Sequence, residues 1–258
     1  MWPLSFISEN DFYSHIKNTI KIYGENLKPY NLEKFNSNII DPIKLIFDKS
    51  VFGFSWEEII KNEIFRQRDK STNNEIGYFH QRIFNHIQDC DVPDSGWDVI
   101  VTRNNINVSD RDTVSRVFVE MKNKHNTMNS SASSKTYIRM QAQLLADDDC
   151  ACMLVEAIAK KSQNIAWAVS VDGEQQKYRR IRRVSIDKFY ELVTGEDDAF
   201  YKICMQLPKT IEKVVSETTE YAIPCDTVFN ELEVLANSKG GSIALALYML
   251  GFNDYIGF

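Results

Sequence analysis

The sequence predicts an α/β fold in which helices flank a mixed central sheet, and the order of its apolar runs is the main evidence. Two short runs, residues 99–101 and 117–119, indicate the strands of a β-hairpin. A segment with helical spacing, residues 135–145, precedes two longer apolar runs, residues 152–158 and 165–171, which are typical of core strands. Because a helical crossover joins parallel strands, we expect an antiparallel hairpin with a parallel neighbour.

Helices are expected before the hairpin. Residues 1–50 show helical spacing interrupted by prolines. Ser55 and Glu58 occupy capping-box positions before further apolar residues, which predicts a helix from about Trp56 to Arg68. A polar break over residues 69–74 and a second helix over residues 75–88 follow. Tyr78, Phe79 and Phe84 of this second helix are expected in the core.

Two polar segments are predicted as loops, and helices close the chain. Residues 104–112 join the hairpin strands, and residues 126–134 are rich in Asn, Ser and Thr. A short helix over residues 185–195 has a serine at its start and a glycine at its end. The chain is expected to form a single domain, residues 1–258, in which a mainly helical part, an α/β core and a second mainly helical part span residues 1–92, 93–200 and 201–258.

Composition bounds the class of protein. The chain has 258 residues, of which 43% are hydrophobic, so it can bury a substantial core. It contains neither a secretory pattern in its first residues nor a run of about 18 apolar residues, so we expect no membrane association. Five cysteines without Cys-x-x-Cys spacing indicate reduced thiols in the cytoplasm, and the four histidines are not spaced with them as zinc ligands.

Basic residues are segregated although the net charge is −6. Residues 177–188 carry lysines and arginines against Asp187 alone, whereas acidic residues are concentrated at 147–149, 196–198 and 217–220. This segregation predicts one phosphate-facing surface on an otherwise acidic exterior. The alternative is a basic loop that is merely solvated.

Three charged residues adjoin the hairpin strands. Glu120 and Lys122 alternate with the apolar Val119 and Met121, so the two charged side chains share one face of a strand. Asp98 stands directly before the other strand. If pairing brings it alongside, two carboxylates and one amine converge, which suits a hard divalent cation and its water. A solvated strand end, with Lys122 paired to Glu120, is the alternative.

This pattern resembles the motif of the PD-(D/E)XK nuclease superfamily: an Asp is followed by a gap, here residues 99–119, and then by Glu-x-Lys. Longer segments, SWEEIIKNEIFRQRDKSTNNEIGYFHQRIF, GWDVIV, VFVEMKNKHNTMNSSASSKTYIRMQ and CACMLVEAIAKKSQN, resemble type II restriction endonucleases, and more narrowly the family that cuts GGNCC-type sites. The similarity covers roughly residues 50–200 and continues more loosely to the closing LGFNDYIGF.

The resemblance implies a catalytic set. The first acid falls on Asp98, the second on Glu120 and the lysine on Lys122. One departure is a literal Pro-Asp at residues 93–94, but Asp98 is preferred because it borders the strand while Asp94 lies in a turn.

The resemblance also implies Mg²⁺ as the cofactor. The two acids, Asp98 and Glu120, would bind the ion, together with the carbonyl of Met121. Lys122 would hold the attacking water and stabilise the charge on the phosphate. The expected products are a 5′-phosphate and a 3′-hydroxyl.

Other residues are candidates for the same reaction. Glu75 resembles the additional, helix-borne acid of many such nucleases, although a first-turn glutamate that interacts with the helix dipole is the alternative. The arginines of residues 177–188 suit guanine, which a guanidinium group contacts through two hydrogen bonds. The candidate DNA-binding residues are Asn123, Lys124, His125, Asn126, Lys135, Arg139, Gln141, Arg179, Arg180, Arg182 and Arg183.

The expected partners follow from the resemblance. Double-stranded DNA is the substrate, and a near-palindromic site implies a homodimer with one active site for each strand. A cognate DNA methyltransferase is expected to be encoded nearby. Two other functions remain open: a DNA repair or junction nuclease of the same fold, and a non-catalytic DNA-binding module.

Overall fold

The chain divides into two compact units. The computed structural model describes residues 2–26, 28–125, 127–217, 225–238 and 240–252. The first unit comprises Met1–Ile20 and Glu75–Thr218, and the second comprises Lys21–Asn74 and Thr219–Phe258. The single domain expected from the sequence stays a prediction.

A six-stranded mixed sheet forms the centre of the first unit. Its strands, in chain order, are β1 (Cys90–Asp91), β2 (Val99–Ser109), β3 (Asp112–Lys124), β4 (Cys150–Ile158), β5 (Asn164–Val171) and β6 (Glu174–Ser185). Their spatial order is β1-β2-β3-β4-β6-β5. The hairpin β2–β3 is antiparallel, and β4 lies parallel to β3. The predicted mixed α/β fold is therefore confirmed, and so is the parallel neighbour of the hairpin.

Helices surround this sheet and build the second unit. Those with residues in the first unit are α1 (Glu9–Asn26), α4 (Trp56–Arg82), α5 (Ser130–Ala146), α6 (Ile186–Thr194) and α7 (Ala199–Glu217). The second unit also contains α2 (Leu32–Asn36), α3 (Pro42–Phe52), α8 (Val228–Ser238) and α9 (Ile243–Gly251). No helix among the described residues is long and apolar enough to cross a membrane.

Apolar side chains cover both faces of the sheet. Val117 and Val119 of β3 are fully buried in the core that also contains residues of α1, α4, α6 and α7. On the opposite face, Leu154 of β4 packs in a second cluster with Tyr137 and Met140 of α5. Strand alternation places Glu120 and Lys122 on one face of β3, as the sequence predicts, and this is the face that α5 covers.

The prediction of a long hairpin loop over residues 104–112 is wrong. Both strands continue, and the turn is confined to Asp110 and Arg111. Ile106 and Val108 are fully buried at alternate positions, which holds this polar segment in the sheet. An irregularity in the register follows Thr102, where Asn105 has a φ of 59°.

The prediction of a break between two helices over residues 69–74 is also wrong. The capping box at Ser55 and Glu58 is confirmed: the amide of Glu58 donates to Oγ of Ser55 (3.2 Å), and the amide of Ser55 donates to the Glu58 carboxylate (2.8 Å). From Trp56 the helix then runs unbroken to Arg82 and ends in a 3₁₀ turn. Residues 69–74 contain neither glycine nor proline, so their polarity does not interrupt the helix.

The arginine-rich segment forms a strand rather than a basic loop. Its residues up to Ser185 belong to β6, which pairs in parallel with β4 and antiparallel with β5. Ile181 and Val184 are buried on opposite faces of the sheet, so the sequence of this strand shows no simple alternation of apolar and polar residues. Helix α5 also begins earlier than predicted, at Ser130, because Asn129 caps it by accepting from the amide of Ala132 (2.8 Å).

Candidate active site

The hairpin brings Asp98 and Glu120 to neighbouring positions. The amide of Asp98 donates to the carbonyl oxygen of Val119 (2.9 Å), and Val99 is the register partner of Val119. Asp98 therefore stands across from Glu120 on the adjacent strand. Lys122 lies two residues further along β3, on the same face as Glu120.

Hydrogen bonds fix the two carboxylates. Oδ2 of Asp98 accepts from the backbone amide of Met121 (2.7 Å). Glu120 receives a cation on each oxygen: Nζ of Lys122 lies 2.7 Å from Oε1, and Nη1 of Arg139 lies 3.0 Å from Oε2. The group thus contains two acids and two cationic side chains.

Burial raises the pKa of Asp98. Its partly buried position raises the pKa of the carboxyl above the ordinary value, and the negative charge of Glu120 adds to this. The amide of Met121 and the positive charges of Lys122 and Arg139 act in the opposite direction. The raised pKa shows that burial and Glu120 outweigh these neighbours.

Trp97 orients one of the cations. The guanidinium group of Arg139 lies over the indole ring, 3.9 Å from its centroid. Nε1 of Trp97 donates to Oε1 of Gln143 on α5 (3.2 Å). The centroid of the Trp97 ring lies 5.7 Å from that of the Phe118 ring. Arg139 is one of the DNA contacts predicted from the sequence, whereas Trp97 is not. The position of a tryptophan directly before Asp98 was the available signal.

A second charged cluster adjoins Lys122. Glu156 of β4 is the register partner of Lys122 and is 2% exposed. It pairs with Arg183 of β6, and Nδ1 of His125 lies 3.1 Å from its carboxylate. Burial raises the pKa of Glu156, but hydrogen bonds and charge from Arg183 and His125 outweigh it and hold the pKa below the usual range. Sequence reasoning missed Glu156, although an acid inside an apolar run was a visible signal.

The other arginines of β6 contact protein groups. Arg179 pairs with Asp112 (2.9 Å), and Arg182, which is 8% exposed, donates to the backbone oxygen of Asn164 (2.6 Å). Arg180 donates to backbone carbonyls that include one at the start of β4. Contacts with DNA from these side chains stay predictions.

The remaining DNA-binding candidates lie on β3 and α5. Lys124 and Lys135 are exposed, whereas Asn123 and Gln141 are half-buried. Asn126 lies outside the described residues. Asn123 and Lys124 are the last two residues of β3 and follow Lys122 directly. They therefore lie next to the candidate active site along the strand.

Glu75 lies on α4 and pairs with an arginine. It is buried, and its Oε1 accepts from Nη1 of Arg82 (3.1 Å). Burial raises the pKa of Glu75, while the charge of Arg82 lowers it. Within the described ranges, no third His, Cys, Asp or Glu joins a metal-binding group with Asp98 and Glu120. A role for Glu75 as an additional acid stays a prediction.

A mixed sheet flanked by helices, with acids and a lysine collected on one face, is consistent with a restriction-endonuclease-like α/β protein. Residues 4–216 match the family model described as Eco47II restriction endonuclease, so the chain belongs to that family. The type II restriction enzyme Sau96I of Staphylococcus aureus is 26% identical to it, over 99% of this chain and 98% of the relative. The type II restriction enzyme Eco47II of Escherichia coli is 28% identical, over 83% of this chain and 89% of the relative. The resemblance to type II restriction endonucleases is thereby confirmed.

Proposed function

We propose that the protein is a Mg²⁺-dependent type II restriction endonuclease of the PD-(D/E)XK superfamily. It hydrolyses double-stranded DNA at a short GGNCC-like site and leaves a 5′-phosphate and a 3′-hydroxyl. The observation that carries this proposal is the convergence of Asp98, Glu120 and Lys122 at the hairpin, in a chain whose relatives are named type II restriction enzymes.

The donor atoms at this position fit Mg²⁺. Asp98 and Glu120 offer carboxylate oxygens, the ligand type that this ion prefers, and the carbonyl of Met121 belongs to the residue directly after Glu120. These residues would hold the ion, which keeps several of its waters. When bound, Mg²⁺ supplies positive charge near the phosphate and lowers the pKa of a bound water.

Lys122 and Arg139 act on the reacting groups. The amine of Lys122, beside Glu120, holds the attacking water and stabilises negative charge as it develops on the phosphate. Arg139, on the other oxygen of the same carboxylate, adds a second cation at this position. Trp97 keeps that guanidinium group oriented.

Polar and basic residues around the pair would hold the DNA. Residues just beyond Lys122 continue β3 from the candidate active site, Arg139 joins α5 to Glu120, and β6 extends the proposed surface along the sheet. Lysine contacts fall on phosphates, and arginine contacts fall on phosphates or guanines. The residues proposed are Asn123, Lys124, His125, Asn126, Lys135, Arg139, Gln141, Arg179, Arg180, Arg182 and Arg183.

The proposed substrate determines the partners. A near-palindromic site presents the same chemistry on both strands, so a homodimer with two-fold symmetry places one active site on each. The enzyme would work in the cytoplasm, where a cognate DNA methyltransferase, encoded nearby, protects the host sites.

Digestion of plasmid DNA, with and without Mg²⁺, tests the proposal. We expect discrete fragments only with Mg²⁺, and sequencing of their ends then gives the recognition site, the cut position and the overhang. A smear without preferred ends would favour a repair or junction nuclease. DNA binding without cutting would favour a non-catalytic module.

A further inference from the structure

An open cleft of about 480 Å³ lies beside Asp98. One wall is formed by the last turns of α4 and the 3₁₀ turn that follows it. The other wall is formed by the segment before β2, which ends at Trp97 and Asp98. The cleft therefore leads directly to a carboxylate of the candidate active site.

The helical wall of the cleft is polar and exposed. Tyr78 and Arg82 are four residues apart and lie on one side of the helix. Phe79 and Ile83 lie on the other side and are buried in the core. The expectation that Tyr78 belongs to the core is wrong, since this residue is 48% exposed. Packing alone does not explain an aromatic ring at this position.

The guanidinium group of Arg82 is held on two sides. It lies over the ring of Tyr78, 4.7 Å from the centroid, and its Nη1 donates to Oε1 of the buried Glu75 (3.1 Å). The bond to Glu75 uses one of several N–H groups that a guanidinium group carries. The side chain is thus oriented before any ligand arrives, while donors remain to bind one.

The chemistry of the cleft favours the edge of a base over a phosphate. Asp94, which is not one of the proposed metal-binding residues, places a carboxylate in this cleft, and its negative charge disfavours a phosphate group there. Gln81 and Asn85 offer amide groups that both donate and accept. A phosphate diester carries only acceptors, whereas base edges carry donors and acceptors.

We propose that this cleft reads a guanine of the recognition site, with Arg82 as the specificity-determining residue. The guanidinium group donates to O6 and N7 of the base, and Tyr78 and Glu75 hold it in the required plane. This inference rests on the proposed function and adds a named base-reading residue to it.

Two substitutions at Arg82 test the proposal on the full chain. Arg82→Lys keeps a positive charge for the buried Glu75 but loses the two-pronged geometry, and Arg82→Ala removes both. We expect each variant to lower kcat/KM on the recognition site by roughly 10- to 100-fold. Circular dichroism and a thermal melt show whether the variants keep the fold.

Arg66→Lys is the matched control. Arg66 lies on the same helix and likewise pairs with a buried glutamate, Glu63 (2.5 Å), but it does not line the cleft. We expect this variant to cut at the wild-type rate. Tyr78→Phe, which keeps the ring under Arg82, should also cut better than Tyr78→Ala.

Substituted DNA identifies the base that is read. Synthetic duplexes carry 7-deazaguanine, which lacks the N7 acceptor, at one guanine of the site at a time. At the guanine that Arg82 reads, 7-deazaguanine should slow cleavage by the wild-type enzyme but should hardly slow cleavage by the Arg82→Lys variant any further. At every other guanine, the loss of rate caused by 7-deazaguanine should add to the loss caused by Arg82→Lys.

The outcomes separate this inference from the function on which it rests. If wild-type protein yields no discrete fragments, the proposed function fails. If wild-type protein cuts at a defined site and Arg82→Lys cuts that site equally well, only the role of Arg82 is refuted. Additive effects at every guanine would also refute it.

Discussion

At the scale of single residues, buried charges in this protein are stabilised by specific partners. Glu156 is 2% exposed and lies between Arg183 and His125. Glu191, in contrast, pairs with Lys188 on an exposed helix surface. A buried charge without its partner is costly, whereas an exposed ion pair contributes little. The two glutamates should therefore respond very differently to substitution.

Glu156→Ala should lower the free energy of unfolding by about 3 kcal/mol or more, because it leaves Arg183 without its buried counter-charge. Glu191→Ala, the control, should lower it by less than about 1 kcal/mol. Urea denaturation monitored by circular dichroism measures both values. Equal effects from the two substitutions would show that Glu156 behaves as a surface residue.

His15 should make stability depend on pH. Burial lowers its pKa to about 4, the charges of His86 and Arg82 add to this, and the carbonyl of Phe79 opposes it. The unfolded chain takes up this proton near pH 6.5, so between these values it binds more protons than the folded chain. The contribution of His15 to the free energy of unfolding is therefore fully present above pH 6.5 and falls by up to about 3 kcal/mol as the pH decreases to 4.

Urea denaturation at a series of pH values measures this slope. His15→Gln removes the titrating group but keeps an N–H donor for the carbonyl of Phe79, which Nε2 of His15 approaches to 3.0 Å. The variant should show a shallower slope, with a remainder from His80, whose pKa is also lowered to about 4 by burial. An unchanged slope would contradict the assignment to His15.

At the scale of elements, local signals in the sequence predict structure well, whereas long-range pairing escapes them. The capping box predicts the start of α4 because Ser55 and Glu58 act within one turn. Alternation along β3 likewise predicts that Glu120 and Lys122 share a face, because the two residues are only two positions apart. The strand character of β6 depends on pairing with β4 and β5, which its own residues do not reveal.

The candidate site follows the same division. Asp98, Glu120 and Lys122 could be found because they adjoin one hairpin. Glu156 and Arg183 belong to different strands, and only the parallel register of β3, β4 and β6 brings them beside Lys122. The cleft at Arg82 likewise depends on packing between α4 and a distant segment. Such contacts are tertiary, and a local pattern does not encode them.

Asn74→Pro should test the continuity of α4. Asn74 lies in the interior of the helix, where proline removes a backbone hydrogen bond and clashes with the preceding turn. We expect the free energy of unfolding to fall by about 3 kcal/mol, and Asn74→Ala to leave it nearly unchanged. Urea denaturation gives both values. An unchanged free energy of unfolding in Asn74→Pro would indicate that the helix is broken over residues 69–74.

At the scale of the whole molecule, the proposed two-fold recognition site requires two chains. One active site cuts one strand, so a double-strand break at a single site needs a second copy. Sedimentation equilibrium should give about twice the 29.9 kDa of the chain. A mass of one chain, with and without DNA that contains the site, would contradict the homodimer.

The account depends most on the carboxylates and lysine at the hairpin, and the rate of plasmid cleavage in Mg²⁺ tests them most directly. Asp98→Ala, Glu120→Ala and Lys122→Ala should each reduce this rate by about 100-fold or more while circular dichroism shows an intact fold. Lys61→Ala, which breaks a comparable lysine–glutamate pair on α4 (2.7 Å from Nζ to Oε1 of Glu57), should cut at the wild-type rate. A Glu120→Ala variant that cuts DNA as fast as the wild type would contradict the proposed active site.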